Sequence, residues 1–291
     1  MLSFRSRLNT SVMLMPWIAT FAIFWLYPLI YAAYLSLTDY NTLTGLADFK
    51  GFGNYTAIFS DDVFWKALSN TMIFTFGTVP VTTSLALLLA VFLNSKMTRF
   101  KEFFRASYFM PTVTSLVVIS LIFTNLYSKD GYVNALLSIL NLPYAERGWL
   151  LEPGTALFSI MAMDVWMATG YYMVLFLAGM QSIPNDLYES ARLSGASISR
   201  MFFSITLPLL KPTLLFILVI NTIKSFQIFV EIFVMTKGGP LNATTTLVYQ
   251  IFVNAFERSD KMGYASALAF VLFFILIIFS LLQMRFLREK D

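Results

Sequence analysis

Apolar residues run along the chain in six long stretches, and the segments between them hold most of the charge. The stretches cover residues 11–37, 68–93, 103–127, 154–180, 209–236 and 262–286. An α-helix rises about 1.5 Å per residue, so about 20 apolar residues cross a hydrocarbon core of roughly 30 Å. Helices also close their own backbone hydrogen bonds, which is the condition for crossing lipid. The pattern predicts an all-α integral membrane protein with about six transmembrane helices, organised as one domain over 1–291. The first stretch is longer than the apolar region of a cleavable signal sequence and is rich in Trp, Phe and Tyr, so it is expected to remain as a helix.

Composition agrees with this solvent. Apolar residues make up 58% and charged residues 12% of the 291 residues, whereas soluble domains carry about a quarter charged. Neither Cys nor His occurs, which removes disulfides, thiolate and imidazole metal sites, and cysteine or Ser-His nucleophiles. No catalytic residue and no metal site is expected. The formal net charge of +4 does not form a basic stripe with interleaved aromatics, so nucleic acid is not an expected partner. The lipid bilayer is. Leaving out Lys224, which lies inside the fifth stretch, twelve Lys and Arg flank one side of the spans and seven the other; the twelve include Lys96, Arg99, Arg288 and Lys290. The positive-inside rule then puts both termini in the cytoplasm.

Two loops fall on that inner side. Residues 94–102 make a short basic turn, whereas 181–208 is long enough to have structure of its own. Pro184, Asp186 and Glu189 suit the start of a short helix, because proline is tolerated in a first turn and carboxylates favour the positive end of the helix dipole. Gly195 can reverse the chain, and a second short helix would lead into the fifth span. Leu187, Tyr188 and Ala191 give a small apolar face that no core within the loop could bury, which points to a partner.

In this loop Glu189, Ala191, Gly195, Ile205, Leu207 and Pro208 follow the pattern Glu-Ala-Ala, three residues, Gly, nine residues, Ile, any residue, Leu-Pro. The chain here resembles the permease subunits of binding-protein-dependent ABC importers. Ser190 stands where the pattern has its first Ala, and Ser194 where Asp is frequent. Further segments extend the resemblance to the carbohydrate branch, in the maltose-permease and glycerol-phosphate-permease style. They include Ser36-Leu37-Thr38-Asp39-Tyr40, Gly53-Asn54-Tyr55, Asn70-Thr71, Lys237-Gly238-Gly239-Pro240 and Thr244-Thr245-Thr246.

The resemblance implies a type I importer permease in the cytoplasmic (inner) membrane of a bacterium, with residues 182–208 as its coupling loop. A second homologous permease, two ATPase subunits and an extracytoplasmic sugar-binding protein are the implied partners. The loop helix would dock on an ATPase through Leu187 and Tyr188, with Gly195 setting the turn and Pro208 the link to the spans. The chain has no Walker A pattern, so ATP and Mg would be bound by the partner ATPase and this subunit would be non-catalytic, with no cofactor of its own.

Polar residues inside spans are costly in lipid and face the bundle interior or a wet pathway. Asp164, Ala168 and Tyr171 recur at helical spacing in the fourth span; Asn221, Lys224, Ser225 and Ile228 share a face in the fifth, with Gln227 and Glu231 nearby. By resemblance to maltose-type permeases, the positions matching sugar contacts are Asp164, Met167, Ala168, Tyr171, Asn221, Ser225 and Ile228. Alternatively Asp164 and Lys224, or Lys224 and Glu231, neutralise one another between helices. Lys224 also admits an anionic cargo, a uronate oligosaccharide or glycerol phosphate. A reading from another class is an ATP-independent secondary transporter, which has no use for a docking helix. Pro111, Pro208 and Pro212 are placed to kink or break helices. Gly238-Gly239-Pro240 is expected to form a tight outer turn, either a dock for the binding protein or a plain connector.

Overall fold

The computed structural model describes residues 4–95, 100–258 and 260–287. Lys96, Arg99, Arg288 and Lys290 of the topology reading lie outside the described residues. In chain order the elements are α1 (Phe4–Phe21), a π-helical turn at Ala22–Leu26, α2 (Tyr27–Ser36), β1 (Thr38–Tyr40), β2 (Ala47–Phe49), α3 (Gly53–Phe59) and α4 (Asp62–Asn94). Then come α5 (Lys101–Val113), α6 (Leu116–Leu126), α7 (Tyr132–Ile139), α8 (Ala156–Gln181), α9 (Asn185–Leu193) and α10 (Ile198–Met201). A second π-turn at Phe202–Thr206 precedes α11 (Leu207–Leu209), α12 (Lys211–Phe226), α13 (Val230–Met235) and α14 (Leu247–Phe252). After a third π-turn at Val253–Glu257 the last helix is α15 (Met262–Leu287).

Among the described residues, five helical stretches are long and apolar enough to cross a membrane, and the bent pair α5 and α6 makes a sixth if counted as one span. The six expected stretches are therefore all present, but two differ from expectation. Residues 103–127 are not one straight span: α5 and α6 meet at 95°. Pro111 has no N–H to give to the turn before it. In the last turn of α5 the side chains of Thr112 and Thr114 donate to the carbonyls of Phe109 (2.5 Å) and Met110 (3.1 Å), and Thr114 and Ser115 leave the helical region before α6 begins. Residues 209–236 are interrupted too, between Phe226 and Val230.

The chain forms two compact units, one from the residues up to Asp61 with Gln250–Phe273, the other from Asp62–Tyr249 with the chain from Phe274 onward. In the first, α2 runs into a hairpin whose register pairs Thr38 with Phe49 and Tyr40 with Ala47. Asn54 of α3 ties it to the helix, its Nδ2 donating to the carbonyls of Ser36 (2.9 Å) and Thr38 (2.8 Å). The hairpin was not foreseen, although the segments 36–40 and 53–55 that build this staple were conspicuous.

In the second unit α4 and α8 pack along one another and α12 lies against α4. Ala86 and Ala90 let the α4 backbone approach Tyr172, Met173 and Phe176 of α8, and Leu210 and Ile217 close the cluster. In lipid such close approach over small residues, rather than water exclusion, holds helices together. The tightest crossing is that of α5 over α8, where a β-carbon on Gly170 would stand 1.8 Å from the carbonyl oxygen of Tyr108. Gly170→Ala should therefore destabilise the chain by overpacking, by about 1–3 kcal/mol or more because backbone is the obstacle. Thermal unfolding of the detergent-purified variant checks this, with Gly154→Ala, which meets no atom within 4 Å, expected to match the parent.

Candidate functional site

Residues 181–208 fold as the pattern suggested. Pro184 sits just before α9, Asp186 lies in its first turn, and Gly195 adopts φ +75, a left-handed conformation that costs an L side chain about 1–2 kcal/mol. Ser197 then caps α10 by accepting from the N–H of Arg200 at 3.3 Å. The π-turn that follows is closed by the N–H of Leu207 on the carbonyl of Phe202, immediately before Pro208. The loop thus enters α12 as nearly continuous helix.

The apolar face of α9 is divided differently from the expected one. Tyr188 turns inward, packs with Ile205 on the cluster of α4, α8 and α12, and its hydroxyl meets Thr206 Oγ1 at 2.9 Å. Ala191, Leu207 and Pro208 are half-buried, and Glu189 is exposed. Leu187 remains 43% exposed, and Leu193, which the sequence reading passed over, is 91% exposed. Ile198 and Phe203 extend this exposed apolar surface beyond the turn. Leu193 was overlooked because it lies just before the Ser-Gly turn, where the last helical residue is hard to assign.

The second candidate region lies between α8, α12 and α13. Asp164 Oδ1 and Lys224 Nζ stand 3.8 Å apart, with side chains 7% and 45% exposed. Glu231, buried on α13, interacts electrostatically with both. One ammonium therefore faces two carboxylates. Met167, Ala168, Asn221, Ser225 and Ile228 are buried as well. Ser225 Oγ stands 3.4 Å from Thr78 Oγ1, and the Nδ2 of Asn221 has no hydrogen-bond partner among the described residues. Only Tyr171, 41% exposed, together with Lys224 and Gln227, reaches the surface of this unit. Gln227 does so because the helix ends at Phe226, and Thr246 Oγ1 donates to the carbonyl of Ile228 within the interruption at 3.2 Å.

Across from these residues α4 presents Thr71, Thr75, Thr78 and Thr82, all buried. Their spacing of four, three and four residues is one helical face, a signal present in the sequence but left unread. Thr71 donates to the carbonyl of Ala67 (2.8 Å) and accepts from the N–H of Leu247 (3.1 Å). Asn70 Nδ2 holds the carbonyls of Asn242 and Thr245, both at 2.9 Å. The turn after Lys237-Gly238-Gly239-Pro240 is thus clamped to α4, with Thr244, Thr245 and Thr246 buried and Leu241 exposed at its tip.

Comparison with known proteins decides the family. The model of the binding-protein-dependent transport system inner membrane component matches residues 51–289. The chain belongs to that family. The lactose transport system permease protein LacF of Rhizobium radiobacter is 36% identical over 277 residues, which are 94% of this chain and 92% of LacF. The arabinooligosaccharides transport system permease protein AraP of Bacillus subtilis is 34% identical over 271 residues, 93% of this chain and 85% of AraP. In fold, the chain superposes with a TM-score of 0.83 at 23% identity on a subunit of a bacterial ABC transporter involved in import of the acidic polysaccharide alginate, covering 96% of this chain and 95% of that one.

In this chain the loop residues are divided, with Tyr188 and Ile205 as an internal joint and Leu187 and Leu193 as the outward face. Tyr188→Phe removes one hydrogen bond from the buried Thr206 hydroxyl and should lower stability by about 1 kcal/mol. Leu193→Ala, at an exposed position, should stay within about 0.5 kcal/mol of the parent. Chemical or thermal unfolding of the two variants side by side tests the division of roles.

Proposed function

We propose that this chain, with a second homologous permease and two copies of a cytoplasmic ATPase, imports a saccharide handed over by an extracytoplasmic binding protein, by alternating access between the two permeases. Both termini and residues 182–208 then face the cytoplasm, and ATP and Mg belong to the ATPase. LacF and AraP, named for lactose and arabinooligosaccharides, support the sugar class. A related alginate transporter has been seen with its pentasaccharide-bound periplasmic protein, which supports the binding-protein partner.

The observation that carries the reading is the geometry of α9. Its Leu187 and Leu193 are open to a partner, while Tyr188 and Ile205 root it in the helix cluster. Force applied to the outer face reaches α4, α8 and α12 through packed side chains rather than a slack linker. Placing a charge on that face, as Leu187→Glu with Leu193→Glu, should abolish copurification of the ATPase and uptake, with the amount of chain in the membrane unchanged. Undiminished transport in that double variant would return the protein to the ATP-independent class.

The charge arrangement bears on the cargo. Lys224 is already engaged by Asp164 at 3.8 Å, so its charge is not free to hold an anionic saccharide. We therefore assign an uncharged saccharide, with Tyr171 and Gln227 as the accessible contacts: a ring face for stacking and an amide for hydroxyls. Lys224→Gln leaves Asp164 buried without its cation and should lower the yield of folded chain. The double variant Asp164→Asn with Lys224→Gln should recover yield and keep stimulation of ATP hydrolysis by neutral oligosaccharides. Selective loss of response to an acidic oligosaccharide in the double variant would establish the anionic alternative instead.

A further inference from the structure

At the end of α8 opposite the α9 loop lies a cavity of about 280 Å³, walled by α7 and the residues that follow α6. Its surface is mainly apolar, with Val133 and Leu137 on the α7 side and Phe158 and Ala162 on α8. Three of the polar lining side chains are already engaged inside the protein. Ser159 Oγ donates to the carbonyl of Thr155 (2.9 Å), Thr155 Oγ1 to that of Trp149 (2.6 Å), and Trp149 Nε1 to Asn134 Oδ1 (2.7 Å). A sugar would find no free donor among these three residues.

The walls are also braced. Buried Asn134 donates to the carbonyls of Lys129 (2.9 Å) and Ala145 (2.8 Å), and the N–H of Trp149 reaches the carbonyl of Tyr127 (3.0 Å). These bonds set 127–130 beside 146–149 and hold the cavity open.

The side of α8 decides what can enter. At about 100° per residue, Ala162 lies about 160° around the helix from Asp164, and Phe158 and Trp166 share its stripe. That stripe faces away from Asp164, Ala168 and Tyr171, and both Phe158 and Trp166 are exposed. Because α8 is a membrane-spanning helix and the cavity adjoins its first two turns, the opening lies near the depth where acyl chains meet headgroups. Around it the loop carries Lys129 and Arg147 as cations and Asp130, Glu146 and Glu152 as anions, all exposed except the half-buried Glu152. This mixture of both signs, with one net negative charge, offers partners to both a phosphate and an ammonium and so favours a headgroup that carries both.

We propose that this cavity is a binding site for a zwitterionic phospholipid, an acyl chain lying against Phe158 and Ala162 and an aminophosphate headgroup held by the charges of residues 129–130 and 146–152. The test uses phosphatidylethanolamine with a photoreactive diazirine on its acyl chain, incorporated with the full-length chain and its copurifying subunits into nanodiscs. Crosslinked peptides are then mapped by mass spectrometry. Adducts are expected within residues 133–137 and 149–162. Unlabelled phosphatidylethanolamine should compete them away, and Ala162→Trp should remove them while leaving labelling of α15 as in the parent. Leu137→Trp fills the cavity from the other wall and should act alike if Ala162→Trp does not fold. Adducts absent from these peptides, or unchanged by competitor and by both variants, would overturn the site. Stronger labelling by the phosphatidylglycerol analogue would overturn the zwitterionic assignment.

Discussion

Hydrocarbon offers no hydrogen bonds, so every break in a helix within the membrane has to be answered by a side chain from the same protein. This chain meets that requirement with threonine and asparagine. Thr112 and Thr114 bond to the carbonyls of Phe109 and Met110 in the last turn of α5, at the sharp bend between α5 and α6. Thr246 reaches the interruption of the fifth span at Ile228, and Asn70 with Thr71 clamps the turn that follows α13. The irregular geometry that shapes the bundle exists because these short polar groups stand where the backbone opens.

The same economy explains how the long inner loop becomes part of the bundle. A helix of nine residues is too short to be stable in water, since helix nucleation is unfavourable and few bonds follow it. Tyr188 supplies the missing stabilisation, with its ring on the α4, α8 and α12 cluster and its hydroxyl on Thr206. In the proposed mechanism this makes α9 a projecting part of the membrane core rather than a tethered loop. The residues that transmit motion and those that would meet the ATPase are then different residues on the same short helix.

Between the spans, charge is balanced locally. Asp164 and Lys224 approach within 3.8 Å on neighbouring helices, and Glu231 is set close by the interruption before α13. An ion pair of this kind gives little net stability, but it keeps each charge from standing alone in a poor dielectric. It also leaves Tyr171, Gln227 and part of Lys224, rather than the buried acids, at the surface of this unit.

Sequence alone determined the parts governed by local repetition. Twenty or more apolar residues in a row specify a membrane helix because lipid rewards nothing else, and the six stretches are all found. The Glu189 to Pro208 spacing specified the loop, since proline, glycine and helix-end charge act over a few residues. Tertiary structure alone decided the rest. It turned Tyr188 inward and left Leu193 outward, because the side of α9 that is buried depends on the height of the α4–α8 surface beneath it. It buried Asn221 and Ser225 and exposed Gln227, because α12 ends at Phe226, immediately before Gln227. It brought Thr78 of α4 to Ser225 of α12, a meeting between residues nearly 150 positions apart that no local pattern encodes.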